Sequence, residues 1–231
     1  MSAIDTYSEV RKKVAVACRL INESGLGDYS GHVSIKVSEA GGMFINGRTT
    51  SRAALTPDDI LLCDMEGEKL EGSDLPPSEI AIHTQIYKHR PDVGCVAHFH
   101  PPYGVLFSVL DRPLVPVFLK GAMVGTVPIH DNPRHINNVQ KADEMVAKLG
   151  QGKAVLLRGH GVTVVGKTVE EVFFLSVCME ENARRYYQAL AVGEPKPLSE
   201  EEQRDLIGSG YKQQKFQKIW DYYLSKFGAA F

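Results

Sequence analysis

Residues 95–102 read Cys-Val-Ala-His-Phe-His-Pro-Pro, and this stretch limits the folds open to the chain more than any other. An apolar run stopped by two prolines reads as a strand with a fixed end, because proline brings no N–H to a ladder. On a strand, residues i and i+2 share a face, so His98 and His100 project together while Ala97 and Phe99 face the other way. Two imidazoles side by side form a bidentate grip for a metal ion, or they are two satisfied core or surface histidines. The short motif alone leaves both open.

The elements around this strand lack the regular βαβ beat of a doubly wound fold. Val10, Val14, Cys18 and Ile21 recur at helical spacing over Tyr7 to Asn22, and Glu-Ser-Gly-Leu-Gly stops that helix. The stretches 31–37, 42–48 and 58–67 read as short antiparallel strands joined by tight loops. A helix starts after Pro76-Pro77 and ends before Pro91, with Ile80, His83 or Thr84, and Tyr87 along one side. A further strand is expected in 116–129, a helix in 135–150, and two strands meeting at Gly159-His160-Gly161. A long helix follows from Thr168, with Glu171 in capping-box position, and Ser199 with Glu202 makes a second such box. The expected fold is α/β, a single domain whose central, mainly antiparallel sheet is flanked by helices in three layers. Residues 1–193 form the catalytic part and 194–231 a C-terminal helical extension of the same domain.

Composition narrows the function classes. A formal net charge of -2 lacks the basic excess of a nucleic-acid surface, and no segment has the 18 or so uninterrupted apolar residues of a membrane span. Cys18, Cys63, Cys95 and Cys178 show no C-x-x-C spacing and read as reduced thiols of a cytoplasmic protein. Gly25-Leu-Gly-Asp-Tyr-Ser-Gly31 is not a phosphate loop, since its glycine spacing is wrong and it follows a helix instead of a strand.

A third imidazole comes from His160, set between two glycines where two apolar runs meet; it is a turn histidine or a ligand. Three histidines would leave a metal ion with open positions, the mark of a catalytic site. Glu79, in the first turn of its helix, serves the helix dipole or, near a metal, transfers protons.

Taken together, the stretch from Pro76-Pro-Ser-Glu79 to His98-Phe-His100-Pro-Pro, followed by Leu156-Leu-Arg-Gly-His160-Gly-Val, resembles the class II aldolase/adducin family over roughly residues 5–192. The resemblance implies that His98, His100 and His160 hold one divalent metal ion per subunit (zinc, manganese, cobalt or iron) and that Glu79 is the catalytic acid/base. It also implies a homotetramer with sites at subunit boundaries.

The chain departs from the phosphate-binding members, which carry G-N-x-S, an S-x-[ST]-G loop and paired serines before the glutamate. Here the corresponding stretches read Gly31-His32-Val33-Ser34, Arg48-Thr49-Thr50-Ser51 and Pro77-Ser78. Groups that would wrap a phosphate are replaced by a histidine and an arginine. Arg48 or Arg52 offers a planar contact to a carboxylate, or is a solvated loop residue. His32 donates to a carboxylate, exchanges a proton, or only caps its strand. Gly31, Arg48, Thr49 and Ser78 are the expected substrate-binding residues, with His32 and Glu79 catalytic. The tyrosine that aldolases place about nineteen residues past the histidine pair is absent, since that region reads Val-Pro-Val-Phe118-Leu119.

These departures resemble the branch that decarboxylates hydroxylated aromatic diacids, such as dihydroxyphthalate and hydroxypyridine-dicarboxylate decarboxylases. That resemblance implies a metal-dependent lyase of aromatic catabolism, leaving an electron pair that is stabilised as a metal-bound enolate. The alternatives are an aldolase or epimerase acting on a hydroxyaldehyde or sugar, and a non-catalytic adducin-like interaction domain. Tyr211, Trp220, Tyr222 and Tyr223 of the C-terminal segment cover a neighbour's site or pack on their own sheet.

Overall fold

A computed structural model describes residues 3–110 and 112–228. Among the described residues the chain runs α1 (Ala3–Glu23), β1 (His32–Val37), β2 (Gly42–Asn46), β3 (Ile60–Asp64), β4 (Lys69–Glu71), α2 (Ile80–His89), β5 (Cys95–Phe99) and α3 (Pro102–Val109). It continues through α4 (Gly121–Val124), β6 (Ile129–His130), α5 (Val139–Leu149), β7 (Ala154–Leu157), β8 (Gly161–Gly166), α6 (Val169–Leu190), α7 (Glu200–Gly210) and α8 (Gln213–Phe227). The strands form one sheet in the order β4-β3-β2-β1-β5-β8-β7-β6, antiparallel except for the parallel β6–β7 pair.

Period-two alternation along the central strands sorts the buried residues into two cores. Val33, Cys95, Ala97, Phe99, Val162 and Val164 point to the side covered by α1, α3, α4, α6 and α8. Val96, Val155, Leu157 and Val165 point to the other side, where α2 and α5 pack. The result is the expected three-layer α/β arrangement, and the polar positions of β1, β5 and β8 fall on the α2/α5 side of the sheet.

Two local expectations need correction, and one strand was not expected. Of the strand expected in 116–129, only Ile129 belongs to one, because prolines at 113, 116 and 128 deprive this segment of ladder donors. The amide of Asn182 on α6 substitutes for a ladder, accepting from Val117 N–H at 3.0 Å and donating to the Val115 carbonyl at 2.9 Å. At Thr168 the hydroxyl caps Glu171 N–H as expected, but the Glu171 carboxylate accepts from Lys167 N–H, one residue further back than a capping box requires. β4 was not legible, since its three residues are all exposed.

The C-terminal aromatics pack on α6, not on the sheet. Phe173 meets Trp220 and Tyr223 edge-on at centroid distances of 5.8 and 5.2 Å, and the Tyr211 hydroxyl donates to Glu171. Tyr222 stays exposed. The box at Ser199 and Glu202 is present and starts α7. Because Trp220 is buried at the junction of α6 and α8, Trp220→Ala is expected to cost about 3–5 kcal/mol of stability, measured by urea unfolding followed by far-UV circular dichroism.

Candidate active site

β5 lies between β1 and β8, and its register sets His98 opposite both His32 and Thr163. Pro101 and Pro102 end the ladder and open α3, so His100 sits at the strand exit. His160 lies in the β7–β8 turn, and the glycines on either side have separate reasons. Gly159 adopts φ +61°, and a Cβ on Gly161 would fall 2.6 Å from the Phe99 carbonyl oxygen and 2.7 Å from the His100 ring.

The three imidazoles therefore converge, with ring centroids 5.0 to 5.4 Å apart. His98 Nε2, His100 Nε2 and His160 Nδ1 are buried with no hydrogen-bond partner among the described residues. Buried polar atoms are normally satisfied, and a divalent cation is a partner that rings so placed could share. Each of the three offers a ligand atom within 4.8 Å of the others, so these residues fit the metal that the sequence resemblance implies. Three nitrogen donors suit several first-row divalent ions.

Asp28 supports that fit. Its carboxylate can only accept, so His100 Nδ1–H donates to it at 3.1 Å, which leaves His100 Nε2 as a lone pair. Partial burial works against the charge of Asp28, but the N–H and hydroxyl of Ser30 and the ring of His100 hold its carboxyl below the ordinary range.

Glu79 is the N-cap residue of α2, one position before the first turn expected for it, and its carboxylate makes no capping bond. Instead Oε1 accepts from Ile136 N–H at 2.7 Å, and Oε2 lies 3.7 Å from His98 Nε2 and 3.6 Å from His160 Nε2. Burial pushes its carboxyl upward, yet His160, His98 and the Ile136 N–H outweigh that and keep it ionised, well below the ordinary carboxylate range.

A cavity of about 490 Å³ opens in front of these groups, lined by His32, Arg48, Ser78 and Gly31 as well as Glu79 and the three histidines. Gly31 adopts φ +102°, and a side chain there would press on the His98 carbonyl at 2.9 Å. His32 is buried, with its ring centroid 5.0 Å from that of His98 and its Nδ1 only 2.6 Å from His83 Nε2. Burial, then the neighbouring His83, holds His32 well below the ordinary histidine range.

The structure separates the two arginines. Both line the cavity, but Arg52 is buried and donates to the backbone carbonyls of Gly31, Thr50 and Arg48, so its guanidinium is committed to bracing the loop. Arg48 is exposed, lines the cavity and spends Nε on the Pro76 carbonyl. Thr49 is not brought to the cavity. Its N–H goes to the Asp74 carboxylate at 2.7 Å.

Asp28, His83, Asp74 and His135 escaped the sequence reading. His135 Nδ1 stands 3.6 Å from Glu79 Oε1 on an exposed side chain. Each is far from the histidine motifs in sequence, and only the fold joins them.

The model of the Class II Aldolase and Adducin N-terminal domain matches residues 12–187. The chain belongs to that family. It is 30% identical to the 3,4-dihydroxyphthalate decarboxylase of Arthrobacter keyseri, over 97% of this chain and 96% of that one. It is 31% identical to the 5-methylthioribulose-1-phosphate/5-deoxyribulose-1-phosphate aldolase of Rhodospirillum rubrum, over 83% and 86% respectively. The crystal structure of an aldolase II superfamily protein from Pseudomonas syringae superposes with a TM-score of 0.85 at 21% identity, over 98% of this chain and 94% of that chain. Class II aldolases use a divalent metal, and the His/Glu cluster of this chain lies where such an ion can be held.

Because Asp28 fixes the ligating face of His100, Asp28→Asn is expected to weaken divalent-ion binding by about 10–100-fold with the fold intact, measured by competition with a chromogenic chelator.

Proposed function

We propose that the protein is a divalent-metal-dependent carbon–carbon lyase that non-oxidatively decarboxylates a hydroxylated aromatic carboxylic or dicarboxylic acid. The observation that carries this choice is the cavity wall at Arg48 and Pro77-Ser78, with the amide of Thr49 turned away from it. Asp74 already takes the Thr49 N–H, and Pro77 has no N–H to give. Two backbone donors of a phosphate cradle are therefore missing, and Arg48, whose guanidinium suits either anion, remains as the contact for a carboxylate. The resemblance to dihydroxyphthalate decarboxylases over nearly the whole chain points the same way.

In this reading His98, His100 and His160 would hold the ion, which would supply Lewis-acid chemistry to the bond cleavage. Arg48 anchors a carboxylate at the cavity mouth. Glu79, ionised and pinned through Oε1 by the Ile136 N–H, takes the proton of a substrate hydroxyl as the substrate binds. Once carbon dioxide has left, it returns that proton to the ring carbon, and the product, left as a phenolate, regains its hydroxyl proton from water. The 3.6–3.7 Å separations from two of the histidines keep Oε2 beside the reacting atoms.

The reading includes a homotetramer with sites at subunit boundaries. It is supported by exposed Val109 and Leu110 at the end of α3, beside the turn that carries His160, where Val109 approaches Gly159. A light-scattering mass of four chains is expected.

Product analysis separates decarboxylation from aldol cleavage. The purified protein, with Mn²⁺, Zn²⁺ or Co²⁺, is expected to release carbon dioxide from 3,4-dihydroxyphthalate and to leave sugar phosphates intact. Aldehyde release from a sugar phosphate would overturn the reading in favour of an aldolase. Glu79→Gln is expected to keep its metal content and lose about 10²–10⁴-fold in kcat, since proton transfer typically contributes that much.

A further inference from the structure

Behind His32 lies a row of buried polar groups that this chemistry does not use. His83 on α2 has no exposed surface; its Nε2 is 2.6 Å from His32 Nδ1, and its Nδ1 is 2.6 Å from Ser34 Oγ. Ser34 Oγ is 2.7 Å from the Tyr87 hydroxyl oxygen, and that hydroxyl donates to the Ser34 carbonyl at 3.0 Å. Residues 32 and 34 share a sheet face and residues 83 and 87 one side of α2, so β1 and α2 together build the row.

Counting protons gives the row a direction. A carbonyl only accepts, so the single phenolic proton of Tyr87 is committed to the Ser34 backbone. The phenol oxygen is then free to accept, and Ser34 Oγ–H donates to it. The Ser34 oxygen in turn accepts from His83, whose Nδ1 must carry a proton. His83 is fully buried with no carboxylate among its hydrogen-bond partners, so it is neutral and its Nε2 is a lone pair. That lone pair accepts from His32 Nδ1–H. His32 has the Glu79 carboxylate beside it as well as imidazoles, but burial and His83 outweigh that charge, so it is neutral too and has its Nε2 lone pair left for the cavity. The reverse order would also put one proton in each of the three gaps of 2.6–2.7 Å, but it would strip the 3.0 Å contact between Tyr87 and the Ser34 carbonyl of its proton.

We propose that His83, Ser34 and Tyr87 are positioning residues that lock His32 in the tautomer whose Nε2 accepts, so that the site selects a substrate presenting a hydroxyl to His32. A carboxylate oxygen at that point would face a lone pair and be rejected. The role of carboxylate donor, one of those the sequence allows His32, is thereby excluded, and anchoring falls to Arg48. The proposal deepens the decarboxylase reading and rests on it for the substrate, but the state of His32 is testable with no substrate present.

¹⁵N-histidine-labelled protein loaded with Zn²⁺ reads the tautomers directly, because a ring nitrogen bearing a proton differs in shift and one-bond coupling from one bearing a lone pair. His32 and His83 are both expected as Nδ1–H, with signals assigned through His32→Gln and His83→Gln. A proton on His32 Nε2 in the wild type overturns the proposal whatever the substrate is. Tyr87→Phe removes the acceptor for the Ser34 hydroxyl, which then donates to His83 Nδ1 and drives the proton to His32 Nε2. Tautomers unchanged in Tyr87→Phe would also overturn the proposal. In turnover of 3,4-dihydroxyphthalate the same variant is expected to lose about 10–100-fold in kcat/KM at unchanged zinc content, the cost of one misdirected hydrogen bond in a closed site. Wild-type protein with the expected tautomers and no turnover would support the relay and count against the decarboxylase reading.

Discussion

The whole site depends on the register of one strand. β5 is held on both sides by antiparallel neighbours, and its odd-numbered residues, Cys95, Ala97 and Phe99, are sunk in the core beneath α1 and α6. A slip of one residue would turn those three side chains toward the cavity and drive His98 into that core. The hydrophobic effect, acting on the residues packed in that core, is therefore what aims the histidine face. Gly31 and Gly161 let neighbouring backbone close on that face without displacing it.

The electrostatics of the cluster follow from crowding. Five imidazoles, those of residues 32, 83, 98, 100 and 160, are linked through ring contacts, and His98 has almost no exposure to water. Burial drives His83 down to about 3 and His32 and His98 well below the ordinary histidine range, so these three rings rest neutral with lone pairs. Asp28 and Glu79 supply negative charge from two directions. This is an arrangement that costs stability as a bare fold, since unpartnered buried nitrogens lose their hydration, and it recovers that cost when a cation is bound.

The histidine triad was legible in the sequence because its determinants are local. Strand periodicity pairs His98 with His100, two prolines mark where the strand stops, and a Gly-His-Gly turn exposes the third ring. Glu79 was legible through its helix start, apart from one residue of offset. What escaped are partners brought in by the sheet: Asp28 lies 72 residues from His100, and His83 51 residues from His32. His83 shares its helix with apolar neighbours and reads as one more inward-facing residue until β1 is laid against it. The same limit applies to the fold, where a side-chain amide on α6 replaces the strand expected in 116–129. No local pattern announces a backbone segment held by a residue more than sixty positions away.

The Asp74 carboxylate, already holding the Thr49 amide, bears on how activities diverge within such a family. Gly47 also packs against Asp74, whose oxygen a Cβ there would meet at 2.4 Å. Removing the acid would free an amide but leave Pro77 without a donor and the loop without its tie. Recovery of a phosphate cradle thus calls for coordinated replacement in separate loops, and intermediates along that path would hold neither ligand well. Such a barrier would keep two chemistries apart on one scaffold, although the histidine face could stay the same in both.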